Sequence, residues 1–146
     1  MGLLTISDSS VIYVDTSVVI YTIEQVPGYH TLLEPLWVKF EADTISLLSS
    51  ELILLEALVL PLRRANATLT SAYEQLLLAS NFQLIPINQP ILRSAAQLRA
   101  TTNLKTPDAI HAATALAARP TLFLTNDSQF RAVAGLPVVL SEGLTS

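Results

Sequence analysis

The chain has 146 residues, of which 51% are hydrophobic and only 14% are charged, and its formal net charge is −4. This length and apolar content exclude intrinsic disorder and predict one domain with a substantial buried core. The negative charge argues against nonspecific nucleic-acid binding through a broad basic face, and the absence of cysteine excludes disulfides, thiolate metal sites and cysteine nucleophiles.

The distribution of apolar residues disfavours two further classes. The N-terminus lacks the basic segment and the cleavage site of a secretory signal. Glu56 and Pro61 interrupt the most apolar stretch, so no charge-free run reaches bilayer length. We therefore expect a cytoplasmic protein that does not cross a membrane. The scarcity of charge also predicts apolar surface, and hence a partner or a homodimer interface.

Strand patterns alternate with helix patterns along the chain. Strands are predicted at residues 11–14, 44–48, 82–87, 121–124 and 138–140. Helices are predicted at residues 18–24, 30–42, 50–64, 69–79, 88–100, 106–118 and 126–133. Ser49 or Ser50 is expected to cap the third helix, and Pro61 to kink or end it. This alternation predicts an α/β fold with a central parallel sheet of four to five strands and helices on both faces.

Four acidic side chains stand out because each lies beside an apolar run that a charge would disturb. They are Asp15, Glu56, Asp108 and Asp127. Asp15 and Asp127 follow the first and fourth predicted strands, and ligands of parallel sheets gather at the carboxyl ends of strands. Four converging carboxylates repel one another unless a cation lies among them. Because Mg²⁺ and Mn²⁺ favour oxygen ligands, the sequence predicts an acidic metal site.

Each acid also has a purely structural explanation. The three aspartates stand where a carboxylate can cap a helix or complement the dipole of its first turn. Glu56 lies in the middle of a predicted helix, where a buried glutamate is rare unless it is paired. The structural partner would be Arg93 or Arg99 in a salt bridge.

Four polar side chains are candidates for holding these carboxylates in orientation. They are Ser17, Thr125, Asn126 and His111. His111 follows Asp108 by three residues, so the two side chains share a helix face. Helix capping explains the hydroxyls and the amide equally well, and a packed or surface position explains the histidine.

Four fragments in a fixed order carry a family resemblance. They are Val-Asp-Thr-Ser-Val at 14–18, Ser-Glu-Leu at 50–52 with the helical acid Glu56, Thr-Pro-Asp-Ala-Ile-His-Ala-Ala at 106–113, and Leu-Thr-Asn-Asp at 124–127 with Phe130. The chain resembles the PIN-domain family from residue 11 to residue 140, and in particular the bacterial VapC-type toxins. Many relatives carry a further acid just before this phenylalanine, where the present chain has Gln129.

The resemblance implies a single PIN-like α/β/α domain over residues 1–146, with residues 1–10 as an N-terminal extension. It also implies a ribonuclease that depends on Mg²⁺ or Mn²⁺, with Asp15, Glu56 and Asp108 as the core ligands and Asp127 as the fourth acid. Toxins of this type act on RNA, are inhibited by a cognate antitoxin and commonly form homodimers. These properties are expectations for the present chain.

Other classes remain as alternatives or are disfavoured. The serious alternative is a non-catalytic PIN-like interaction module in which the acids serve the structure. A haloacid-dehalogenase-like phosphotransferase would need a second aspartate where the chain has Ser17. A dinucleotide-binding fold would need a glycine-rich turn after the first strand, and none of the four glycines lies there.

Overall fold

Five parallel strands form the centre of the fold, in the order β3-β2-β1-β4-β5. The computed structural model describes residues 6–141. The strands are β1 (Val11–Val14), β2 (Ser46–Ser50), β3 (Gln83–Ile85), β4 (Leu122–Thr125) and β5 (Val138–Leu140). The predicted parallel α/β architecture is therefore confirmed.

Six α-helices cover the two faces of the sheet. They are α1 (Thr16–Ile23), α2 (Tyr29–Glu41), α3 (Leu52–Arg63), α4 (Ala67–Leu78), α5 (Gln89–Thr101) and α6 (Thr106–Ala118). Buried side chains of the first four helices share one apolar core, and those of α5 and α6 share another with the 3₁₀ turn Ser128–Ala132. Helices on both faces were predicted, and the two cores confirm them.

The two cores follow from the alternation of side chains along each strand. In β1, Ile12 and Val14 point into the core beneath α1–α4, while Tyr13 points into the core beneath α5 and α6. The neighbouring strands keep this register, since Leu48 and Phe123 pair with Tyr13 and join the same core. Both faces of the central strand are therefore buried, as expected for a parallel sheet.

The chain reverses its direction of strand addition beside β1. The strands β2 and β3 extend the sheet on one side of β1, and β4 and β5 extend it on the other. Ligands of open parallel sheets bind at such a switch point, outside the carboxyl ends of the strands. Asp15 lies directly after β1 and is joined to β4, because its backbone N–H donates to the carbonyl oxygen of Leu124 at 3.2 Å.

The start of α3 differs from the prediction, whereas its end agrees with it. Ser49 and Ser50 belong to β2, which continues its pairing with β3 because Glu51 N–H donates to the Ile85 carbonyl at 3.0 Å. Ser50 nevertheless uses its hydroxyl to accept the Leu52 N–H at 3.1 Å. The buried ring of Pro61 lies inside the last turn of α3, which ends at Arg63.

The start of α4 also differs. Asn66 caps α4 by accepting the N–H of Leu69 at 3.0 Å, so this helix begins two residues before the predicted position. The predicted bounds of α6 are confirmed: Thr106 forms its first residue, and the hydroxyl of Thr106 accepts a hydrogen bond from Arg99 at 3.0 Å. The predicted helix at 126–133 is a 3₁₀ turn.

The segment ahead of β1 is only partly described. Ile6 is buried in the core beneath α1–α4, and Asp8 forms an ion pair with Lys39 at 2.7 Å. The rest of the predicted extension, residues 1–5, lies outside the described residues. Between residues 6 and 141, no helix combines the length and the apolar character needed to cross a bilayer.

Candidate active site

A polar cavity of about 260 Å³ opens at the carboxyl edge of the sheet, beside the switch point. All four predicted acids lie in its wall, although they come from four separate parts of the chain. The lining residues are Asp15, Thr16, Ser17, Tyr21, Glu56, Asp108, Asn126 and Asp127.

Asp15 is the most buried of the four acids, with 7% of the residue exposed. Ser17 donates its hydroxyl to Oδ1 at 2.6 Å, and Thr125 donates its hydroxyl to Oδ2. The carboxylate also faces the backbone N–H of Val18 in the first turn of α1, which lowers its pKa, although the geometry falls short of a capping hydrogen bond. Burial raises the pKa of Asp15, and the two hydroxyl donors offset only part of that effect. The charged form is therefore held at a free-energy disadvantage in the folded chain.

Glu56 reaches the cavity from α3 and is held by two donors. Its Oε1 lies 2.6 Å from Nε2 of His111 and 2.7 Å from the hydroxyl of Thr16. The predicted arginine partners are wrong: across the described chain the only ion pair of this carboxylate is the one with His111. Burial alone raises the pKa of Glu56, but the hydrogen bond and charge of His111, together with Thr16, outweigh burial and lower it.

Asp108 occupies the first turn of α6, as the helix-start pattern predicts. Its carboxylate accepts no hydrogen bond from any residue between 6 and 141, and it is half-buried. Burial raises the pKa of Asp108, and the negative charge of Asp127 raises it further. The favourable dipole of α6 therefore acts against local repulsion at this position.

Asp127 both caps a helical turn and faces the other acids. Its Oδ1 accepts the backbone N–H of Gln129 at 2.9 Å, so the capping interpretation is correct in geometry. The same side chain lines the cavity and raises the pKa of Asp108 through its charge. One oxygen therefore serves the 3₁₀ turn while the carboxylate remains part of the acidic wall.

The remaining predicted polar residues lie around these acids. Asn126 donates its amide to the hydroxyl of Tyr21 at 2.6 Å and contacts none of the four carboxylates by a hydrogen bond in the described chain. Ser17 and Thr125 instead bond directly to Asp15. His111 is 2% exposed and bonds to Glu56, so it is a buried histidine with a specific partner.

The sequence analysis did not single out Tyr13, Thr16 or Tyr21. Thr16 and Tyr21 line the cavity, and the hydroxyl of Tyr13 lies 2.7 Å from Nδ1 of His111. A tyrosine inside a fully buried strand needs a partner for its hydroxyl, and that requirement is the signal that could have identified Tyr13. Nothing local in the sequence marks Thr16 as a partner of Glu56.

The donor chemistry of the cavity fits a hard divalent cation. All four acids supply carboxylate oxygens, and a cation among them would relieve the burial and repulsion that raise the pKa values of Asp15 and Asp108. Within residues 6–141, however, no three histidine, aspartate or glutamate side chains already form a group that could hold a metal ion.

The fold and the cavity define an α/β domain with an acidic site at the carboxyl edge of its sheet. The PIN-domain family matches the chain over residues 12–136. The chain therefore belongs to the PIN-domain family. This is a family of nucleases.

Solved structures give the same fold. VapC20 of Mycobacterium tuberculosis, a sarcin–ricin-loop-cleaving toxin, superposes with a TM-score of 0.70 at 20% identity, over 86% of this chain and 95% of that one. VapBC2 of Rickettsia felis, bound to a promoter DNA fragment, gives 0.69 at 19% identity, over 89% and 98%. A toxin–antitoxin complex from Klebsiella pneumoniae gives 0.62 at 25% identity, over 89% and 97%. No curated protein matches the chain.

Proposed function

We propose that this chain is a metal-dependent endoribonuclease, the toxin of a toxin–antitoxin pair, which acts in the cytoplasm. The observation that carries the proposal is the meeting of four carboxylates in one cavity at the carboxyl edge of a PIN-domain sheet. Solved structures of the same fold support the substrate class, since one of them is a toxin that cleaves the sarcin–ricin loop.

Asp15, Glu56, Asp108 and Asp127 would hold Mg²⁺ or Mn²⁺. When bound, the cation lowers the pKa of a bound water and neutralises charge on the scissile phosphate. The chain supplies no cysteine, and the proposed reaction needs no side-chain nucleophile. The task of the protein is then to hold its carboxylates in place and to keep them charged.

The hydrogen bonds around the cavity suit that task. Ser17 and Thr125 each take one oxygen of Asp15, which fixes the plane of this carboxylate. His111 and Thr16 both bond to Oε1 of Glu56, so Oε2, which accepts no hydrogen bond from residues 6–141, is left for a ligand. Asp108 keeps both oxygens available in the same part of the chain.

Two protein partners belong to the proposal. An antitoxin is supported by the fold neighbours, several of which are toxin–antitoxin complexes. A homodimer is supported by the apolar outer face of α3, where Leu55, Val59, Leu60 and Leu62 are exposed. Exposed apolar residues grouped on one element mark candidate sites of protein–protein interaction.

One observation favours the second candidate, a non-catalytic interaction module. The described acids form no ready metal-binding group, and Glu56 is satisfied by protein donors. A module of this kind would bind no Mn²⁺ at the cavity and would leave RNA intact. Metal binding therefore separates the two candidates.

The test is cleavage of structured RNA by the purified chain with Mn²⁺ or Mg²⁺, and its loss with EDTA. Asp15→Asn and Asp108→Asn are expected to fold and to lose about 100-fold or more in rate, the scale seen when a group that stabilises the transition state is removed. Glu34→Gln removes one negative charge from the exposed surface of α2 and serves as the matched control. Full cleavage by both aspartate variants would refute the assignment.

A further inference from the structure

Tyr13 is a fully buried side chain whose hydroxyl lies at the end of a chain of hydrogen bonds. Its ring stacks on Phe123 with centroids 5.0 Å apart, and it meets the ring of His111 edge-on at 5.9 Å. The hydroxyl accepts the backbone N–H of Ser50 at 3.1 Å and lies 2.7 Å from Nδ1 of His111. Packing therefore holds the ring, and the hydroxyl lies among the side chain of Ser49, the backbone N–H of Ser50 and the ring of His111.

His111 links Tyr13 to Glu56 in the acidic cavity. Its Nε2 lies 2.6 Å from Oε1 of Glu56, and its side chain is 2% exposed. A carboxylate oxygen can only accept a hydrogen bond, so Nε2 must carry the hydrogen. In the neutral ring Nδ1 is then an acceptor and needs a donor, and in the protonated ring Nδ1 needs an acceptor.

The hydroxyl of Tyr13 can fill both roles, because a phenol donates one hydrogen bond and accepts others. Burial raises the pKa of Tyr13, so this phenol keeps its proton. With phenylalanine at position 13, Nδ1 would lose its partner inside the core, and the neutral ring would no longer be restricted to the form with hydrogen on Nε2. The other form would place two acceptors, Nε2 and Oε1, against each other.

We propose that Tyr13 is a positioning residue of the acidic site, which sets the tautomer and orientation of His111 so that Glu56 is held by Oε1 and presents Oε2 to a divalent cation. The inference rests on the proposed metal-dependent function of this cavity. Partners that orient a ligand in this way typically change metal affinity or activity by about 10-fold to 100-fold when removed.

The structure offers a matched control for the removal of a buried tyrosine hydroxyl. Tyr73 is also fully buried, and its hydroxyl donates to Oε2 of Glu24 at 2.5 Å. Neither Tyr73 nor Glu24 lines the acidic cavity. Tyr73→Phe therefore measures how the loss of a hydroxyl–carboxylate hydrogen bond affects the fold, without a change in the acidic cavity.

The experiment measures Mn²⁺ affinity by calorimetry and the ¹⁵N shifts of the His111 ring in the full chain, with no RNA present. We expect Tyr13→Phe to weaken Mn²⁺ binding by about 10-fold and to give His111 a population with hydrogen on Nδ1. Tyr73→Phe should change neither quantity. In a His111→Ala background, Tyr13→Phe should have no further effect on Mn²⁺ affinity, because the two residues act in series.

Three outcomes overturn the inference, and one of them also overturns the proposed function. If the wild type binds Mn²⁺ and Tyr13→Phe binds it within twofold with an unchanged His111 tautomer, Tyr13 is a packing residue and the proposed function stands. If the wild type binds no Mn²⁺, the proposed function fails together with the role of Tyr13. Equal loss of affinity in Tyr73→Phe would also count against a specific role.

Discussion

His111 and Glu56 are joined by a 2.6 Å hydrogen bond although 55 residues separate them in the sequence. The bond links α6 to α3, two helices whose buried side chains belong mainly to opposite faces of the sheet. It crosses the carboxyl edge of the sheet, beside the switch point between β1 and β4. The one glutamate of the cavity is therefore fixed by a contact between the two layers of the fold.

The first prediction concerns the pH dependence of this pair. The pKa of Glu56 is lowered in the folded chain, so its charge stabilises the fold above the ordinary glutamate pKa, and that contribution is lost as pH falls through the folded value. Glu56→Gln keeps an acceptor but removes the charge. We expect it to lower the free energy of unfolding by about 1 kcal/mol at pH 7, the difference between a charge-assisted and a neutral hydrogen bond.

Urea unfolding at pH 7 and at pH 3 checks this prediction. The difference between Glu56→Gln and the wild type should shrink as pH is lowered from 7 to 3, because the stabilising charge is lost as pH falls through the folded pKa of Glu56. Glu41→Gln, which alters an exposed acid at the end of α2, should show little difference at either pH. A Glu56→Gln variant as stable as the wild type at pH 7 would contradict the prediction.

The second prediction concerns Asp108, whose pKa is shifted in the opposite direction to that of Glu56. The pKa of Asp108 is raised by burial and by the charge of Asp127, so the fold is more stable with Asp108 protonated, and this stability is lost as pH rises through the folded pKa. Asp108→Asn removes the unfavourable charge and sacrifices no hydrogen bond within residues 6–141. We expect a higher melting temperature than the wild type at pH 7 with EDTA present, despite the lost dipole interaction with α6.

Calorimetry at pH 7 and pH 3 tests the sign. The gain of Asp108→Asn should be present at pH 7 and should be smaller at pH 3, where the wild-type carboxyl binds its proton. A loss of stability at pH 7 would mean that the helix dipole outweighs repulsion at this position. In that case the repulsion between Asp108 and Asp127 would be weaker than the raised pKa of Asp108 indicates.

Metal binding gives a third prediction. A cation that binds only the folded chain stabilises it by about 2.7 kcal/mol at a concentration of 100 times Kd. We expect Mn²⁺ to raise the melting temperature of the wild type, and Asp15→Asn to remove most of this increase because Asp15 is the most buried of the four acids. Ca²⁺-free buffer with EDTA gives the baseline, and Glu34→Gln should respond to Mn²⁺ like the wild type.

The positions of the acids could be predicted from the sequence better than the residues that bond to them. Asp15 and Asp127 could be placed at one sheet edge because both follow apolar strand patterns, and parallel strands end at a common edge. The partner of Glu56 could not be predicted, because a contact between α3 and α6 depends on how the two helices pack. The structural alternative for Glu56 named an arginine as its partner; a buried histidine with its own tyrosine partner provides the donor instead.

A predicted element boundary was wrong where hydrogen bonds to a distant strand overrode the local sequence pattern. Ser49 and Ser50 read as helix-capping residues, but pairing with β3 keeps both in the strand. Pro61, expected to kink or end α3, occupies its last turn, and the carbonyl of Pro61 accepts the N–H of Asn66 at 2.9 Å as the chain turns into α4. The strand pairing of Ser49 and Ser50 depends on residues distant in the sequence, whereas the turn after Pro61 is local.

The last prediction concerns the apolar outer face of α3. Leu55, Val59 and Leu62 recur at helical spacing, and Leu55 and Leu62 are 66% and 61% exposed. If this face joins two copies of the chain, Leu62→Glu should raise the dimer dissociation constant by about 30-fold, which corresponds to about 2 kcal/mol for a central interface residue. Val38→Glu, at a comparably exposed position on α2, should leave dimerisation unchanged.

Sedimentation over a range of protein concentrations measures the effect, and a melting curve shows that each variant folds, since exposed substitutions change stability by only about 0.5 kcal/mol. If the wild type stays monomeric at every concentration, the α3 face would bind the antitoxin rather than a second copy of the chain. Dissociation by Val38→Glu and not by Leu62→Glu would move the interface to α2. If only Leu62→Glu dissociates the dimer, the exposed leucines of α3 are buried between protomers. The high apolar content of this chain would then be explained by its assembly.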